Sequence, residues 1–167
     1  MNDDTMLMKP LQVGLEPGPP VRTATTTFVR AEPGHLVHWQ SLWVSLVDHH
    51  WATLAVVPVG PWPRGSEVTG RLVDAARSMC QAAFSVEDPS NVPDEVGRAI
   101  LPLTSPLLAP ASALVARNVD AALLVVSLGR DTLSNARAVR DLIGPEKFVG
   151  CLVVREGDLE REPWESR

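Results

Sequence analysis

Cysteine is nearly missing from this chain: Cys80 and Cys151 are the only two in 167 residues. Neither sits in a CxxC pair, and two thiols do not build a disulfide framework, so they read as buried free thiols of a reducing compartment. Long apolar runs are missing as well. The longest, Ala121 to Val126, is far too short to span a bilayer, and MNDDTMLMKP opens acidic with no apolar region of a signal peptide. No membrane insertion is expected, and the cytoplasm is the expected location. Runs of Lys or Arg are absent too. With a net charge of −5, a sequence pI near 5.3 and scattered cations, no nucleic-acid partner is expected.

What remains is ordinary globular material, 45% apolar and 21% charged, in a length suited to one domain. The 15 prolines gather in loops and in the first twenty residues. Residues 1–34 read as a Pro-rich leader, either a docking arm for a partner or a tail of little consequence, in which Thr23 to Val29 at most adds an edge strand. Residues 35–155 read as a single domain, and 156–167 as a charged, frayed tail.

Within the domain, HLVHWQSLWVSLVDHH sets Leu36, Trp39, Leu42 or Trp43, Leu46 and Val47 at helical spacing. WATLAVVPV follows as a short β-branched strand, and GPWPRGSE as a loop whose serine is placed to cap the next helix. That helix runs from Ser66 to about Gln81. SVEDPSNVPDE is a polar loop, RAILPLTSP a second strand, Ala111 to Asn118 a short helix, and AALLVVSL the clearest strand. Asp131 to Ile143 is an amphipathic helix capped by Asp131 or Thr132 and ended by Gly144-Pro145; FVGCLVV is the last strand. Strands that alternate with helices need crossover connections, and their continuous apolar runs suit burial on both faces. The expected class is therefore α/β: a mainly parallel sheet of about four to five strands with helices on both faces.

Two stretches resemble a known family. TLAVVPVGPWPRGSEVTGRLVDAARSM has a strand, a Gly/Pro loop and a helix where a P-loop would sit. AILPLTSPLLAPASALVARNVDAALLVVSLGRDTLSNARAVRDLIGPEKFVGCLVV resembles the second half of bacterial tyrosine kinases of capsule synthesis and of ParA/MinD ATPases. Val119-Asp120-Ala121-Ala122-Leu123-Leu124-Val125-Val126 is similar to their "aD.vllVv" strand, and Val149 to Val154 to their final strand. The resemblance covers roughly 36–155, most strongly 99–154, and implies a P-loop-NTPase-like, Rossmann-like three-layer fold.

The departures from that family fall on its chemistry. A Walker A loop needs glycines whose amides wrap phosphate, a Lys to neutralise it and a Ser/Thr to hold magnesium. PWPRGSEVT has no lysine; Arg64 is its only cation, and Glu67 would repel phosphate. The magnesium-side acid of the family should fall near Leu103-Thr104, where no carboxylate stands. The segment for its intermediate strand and second acid, roughly 80–98, is short and polar. The tyrosine-rich tail is absent, since the chain has no Tyr.

The resemblance thus implies a pseudo-ATPase: no catalytic residues, no cofactor, no metal, and a weak anion candidate at Arg64, Gly65 and Ser66. His35, His38, His49 and His50 read as helix-end histidines rather than metal ligands. Ser105 lacks a nucleophile elbow and reads as a loop serine. Trp62, in an exposed-looking PWP turn, is the leading interface candidate, followed by Trp39 and Trp43, which equally suit a core. The expected role is a non-catalytic interaction, scaffold or regulatory module with protein partners and homo-oligomeric assembly, by analogy in polysaccharide export or spatial organisation. Two alternatives stay open: a nucleotide switch or enzyme with an unconventional phosphate loop, and a structural subunit of a larger self-assembly.

Overall fold

The computed structural model describes residues 28–30, 36–86, 97–155 and 159. Expectations placed on most of the leader and most of the tail lie outside the described residues. The elements are β1 (Phe28–Arg30), α1 (Leu36–Val47), β2 (Thr53–Pro58), α2 (Gly65–Ser78), β3 (Ala83–Ser85), β4 (Arg98–Pro102), α3 (Ala111–Asn118), β5 (Ala121–Ser127), α4 (Leu133–Ile143) and, after a 3-10 turn at Pro145–Lys147, β6 (Phe148–Val154).

All the strands pair in parallel, in the order β1-β6-β5-β2-β4-β3. The class is α/β, but the described residues hold six strands rather than four or five. The two extra ones, β1 and β3, are three-residue edge strands, too short to leave a periodic signal. β3 lies in the segment of roughly 80–98 that reads as short and polar, and it takes in Ser85, the first residue of the expected loop SVEDPSNVPDE.

Alternation along each strand divides the core between the two faces. Leu54 and Val56 of β2, Ile100 of β4, Leu123 and Val125 of β5 and Leu152 of β6 join the apolar stripes of α1 and α2. Ala55, Val57, Leu101, Ala122 and Leu124 meet α3 and α4 on the other side. The second layer is rich in alanine, with Ala113, Ala116 and Ala136 facing the sheet, so these helices can pack close to it.

Trp39 and Trp43 belong to the first layer, at 7% and 0% exposure. They are therefore removed as interface candidates. Their i,i+4 spacing serves the buried stripe of α1, and Trp43 finds a partner for its indole N–H in Gln81 Oε1 at 2.8 Å. Trp51 packs edge-on against Trp43 at 5.9 Å and donates to the Leu46 carbonyl at 2.7 Å.

At the amino edge of the sheet, Asp120 ties the start of β5 to the start of β2. Its Oδ2 accepts from the Ala52 and Thr53 amides and the Thr53 hydroxyl at 2.8–3.0 Å. The Asp120 amide in turn donates to Thr53 Oγ1 at 3.0 Å. Burial opposes ionisation of Asp120, but these Thr53 and Ala52 hydrogen bonds and the Lys147 charge outweigh it and hold its carboxyl below the usual value. The aspartate that stood out as a strand-opening signature is thus a clasp between neighbouring strands.

A crevice at the carboxyl edge of the sheet

In a parallel sheet every strand delivers its outgoing loop to the same edge. β2 sends its loop to α2 on one face, while its neighbours β4 and β5 send theirs to α3 and α4 on the other. The loops part, and a crevice opens beside β2. It has a volume of about 410 Å³ and is lined by Pro58, Gly60, Pro61, Arg64, Gly65 and Ser66 from the β2 side and by Pro102, Leu103, Thr104 and Ser105 from the β4 side.

The anion candidates Arg64, Gly65 and Ser66 come together here. Their local structure differs from expectation in one respect. Ser66 is not the cap of α2; Arg64 holds the N-cap position, and Glu67 turns its carboxylate back to accept from the Arg64 amide at 3.1 Å. An acid in the first turn stabilises the helix through its dipole and its open amides. The same acid places a negative charge where an incoming phosphate would need the opposite.

Gly65 is held against the end of β4. A Cβ there would stand 2.5 Å from the Leu103 carbonyl oxygen and 2.8 Å from its nitrogen. This close approach brings the N-terminus of α2 directly over the Leu103-Thr104 turn. That turn is where the resemblance places the magnesium-side acid, and it carries an apolar and a hydroxyl side chain. Gly60 and Gly65 are five apart, the glycine spacing of G-x-x-x-x-G-K-[ST], with Ser66 and Glu67 in the Lys and Ser/Thr places. That spacing was the legible signal for the loop's geometry.

Other contacts here were hidden in the sequence. Ser105 is buried and donates its hydroxyl to the Val59 carbonyl at 2.5 Å, while its oxygen accepts from the Leu107 amide. It ties the β4 loop to the β2 loop. Asp131 does not cap α4. Thr132 does, accepting from the Asn135 amide at 3.1 Å, and Asp131 accepts from the Ser127 amide at 2.6 Å. Its other oxygen lies against Gly60, 2.4 Å from where a Cβ would be. The loops after β4, β2 and β5 are thereby knitted into one surface.

Trp62 is half-buried on this surface, packed against the first core layer, with the Arg130 guanidinium 5.2 Å above its ring. Leu107 (43% exposed), Leu108, Leu128 and Leu133 lie in the loops of the same edge or at the start of α4. His35 lies outside the described residues, and among the described residues no group of three His, Cys, Asp or Glu is placed to hold a metal. Among them, too, no helix is long and apolar enough to cross a membrane. Cys151 is partly buried, and burial raises its thiol pKa.

No family model matches the chain, and no curated protein matches it with significance.

Proposed function

We propose that this chain is a non-catalytic protein-interaction module on a P-loop-type frame, derived from an ATPase of the ParA/MinD or bacterial tyrosine-kinase kind. One observation carries the reading. The crevice beside β2 lies where this reading would put a phosphate site, and its lining residues include no lysine and no carboxylate to hold magnesium. Two acids stand near it, and both are engaged by backbone amides: Glu67 accepts from the Arg64 amide, and Asp131, against Gly60, accepts from the Ser127 amide. Phosphoryl transfer depends on positioning and neutralising dense negative charge, and Arg64 is the only cation among the lining residues.

The role that remains is contact with other proteins. Trp62 and the exposed leucines of the carboxyl edge support it, since apolar side chains gathered on one edge mark interaction surfaces. Homo-oligomeric assembly and a scaffold or regulatory role in the cytoplasm, as in polysaccharide export or spatial organisation, belong to the same proposal.

Titration with ATP and magnesium tests it. A ligand at one hundred times its Kd stabilises the folded state by about 2.7 kcal/mol, or about 5–11 °C in Tm for a chain of this size. The expected result is no shift and no heat of binding. Tight, magnesium-dependent uptake of ATP or GTP would sink the reading.

A further inference from the structure

Folding leaves two kinds of side chain on the carboxyl edge, leucine and arginine. Leu108 and Leu133 stay 60% and 67% exposed, and Leu107 and Leu128 are exposed beside them in the chain or across the loops. The loops that carry them form one surface. Ser105 joins the β4 loop to Val59, and Asp131 of the β5 loop lies against Gly60. Arg130 reaches from the β5 loop to the β2 loop, its guanidinium 5.2 Å above the Trp62 ring, and Arg64 follows two residues after that tryptophan.

Charge decides what such a surface fits. Among the described residues the acids of this edge are Glu67 and Asp131, and each accepts from a backbone amide of its own loop. Arg64, Arg130 and, after β6, Arg155 are exposed. Two copies meeting edge to edge would bring these arginines together, which like charges oppose. A phosphate backbone calls for a denser row of cations and gains nothing from leucine. Beside Arg64 the crevice has apolar walls, Pro58, Pro61, Pro102 and Leu103, with the Thr104 hydroxyl among them. That lining suits an apolar side chain with a carboxylate next to it.

We propose that this edge docks an acidic amphipathic segment of a partner protein. An apolar side chain enters the crevice between Pro61 and Leu103, a neighbouring carboxylate meets Arg64, and a second carboxylate meets Arg130 above Trp62. The proposal rests on the reading of the chain as an interaction module and names the chemistry of its partner. Because these arginines are exposed and Glu67 stands within a turn of Arg64, the contact is sensitive to salt.

The test titrates the full-length chain with synthetic amphipathic peptides that combine leucine and glutamate at varied spacing, and with the same peptides carrying lysine for glutamate. In NMR spectra the glutamate peptides should move the backbone amides of Trp62, Gly65 and Leu108 and leave those of Thr53 and Asp120, at the opposite edge, in place. Arg64→Gln combined with Arg130→Gln should weaken binding about tenfold, the scale of two exposed ion pairs. Leu108→Ser combined with Leu133→Ser should weaken it as well with Tm little changed, since both side chains are exposed and the fold does not depend on them. The proposal is overturned if no glutamate peptide moves the edge amides, if the lysine peptides bind as tightly, or if those amides respond to anionic phospholipid vesicles instead. It is overturned equally if the arginine variant changes only light scattering, which would assign the edge to a second copy. The two readings separate in a further arm. If the peptides bind and magnesium-ATP is also taken up, the docking stands and the non-catalytic reading falls. If neither binds, the docking falls and the non-catalytic reading stands.

Discussion

Two glycines on one helix should respond in opposite directions to the same substitution. In Gly65→Ala the new Cβ meets the Leu103 carbonyl oxygen at 2.5 Å, its nitrogen at 2.8 Å and the Pro102 carbonyl carbon at 3.3 Å. All three are backbone atoms, and the Leu103 amide is itself bonded to the Val56 carbonyl at 3.0 Å. To relieve the clash, either α2 must lift off the sheet or the end of β4 must leave β2. Overpacking of this kind costs about 1–3 kcal/mol, and the helix preference of alanine offsets only part of it at a first-turn position. With about 2–4 °C per kcal/mol in a chain of this length, Tm should fall by roughly 4 °C. Gly70, one turn further on, is exposed and has nothing within 4 Å of its Cβ position. Gly70→Ala should therefore raise stability by about 0.5–1 kcal/mol through helix propensity alone. Thermal and urea unfolding of both variants read the two signs directly. If Gly65→Ala is as stable as the natural chain while Gly70→Ala gains, the close approach of α2 to β4 is wrong, and with it the geometry of the crevice.

Cys80 closes α2 at φ 56°, with its amide on the Arg77 carbonyl and the Gln81 amide on that of Ala76, both at 3.0 Å, a helix end that favours glycine. Cys80→Gly should stabilise the chain by about 0.5–1 kcal/mol in urea unfolding, after allowance for the freer unfolded chain. Asp120→Asn should cost about 1 kcal/mol at neutral pH, a modest figure because the group is largely exposed. Since the folded-state pKa of Asp120 is depressed, its contribution is fully present above the unfolded value of about 4 and is lost as pH falls through the folded one. Unfolding curves of the variant and the natural chain should therefore converge in acid, and a gap that persists there would refute the clasp. Trp43→Ala should cost about 3–5 kcal/mol, whereas Trp62→Ala, at a half-buried position, should cost clearly less and weaken self-association measured by light scattering.

Local patterning alone determined the α/β class, the parallel pairing and the main elements. α1, α3 and β6 lie where periodicity and apolar runs put them, because such signals depend on neighbours in the chain. The missing lysine and acids were legible for the same reason: a residue type is present or it is not. Tertiary structure decided the rest. Strand order is invisible when every strand is a similar apolar run, and β1 and β3 exist only because β6 and β4 offer them a hydrogen-bonding edge. Trp39 and Trp43 could have faced either way until α2 and Gln81 covered them. Ser105, Asp131 and Leu159 gained their partners across long stretches of sequence or by packing of whole loops, and no spacing along the chain encodes such meetings.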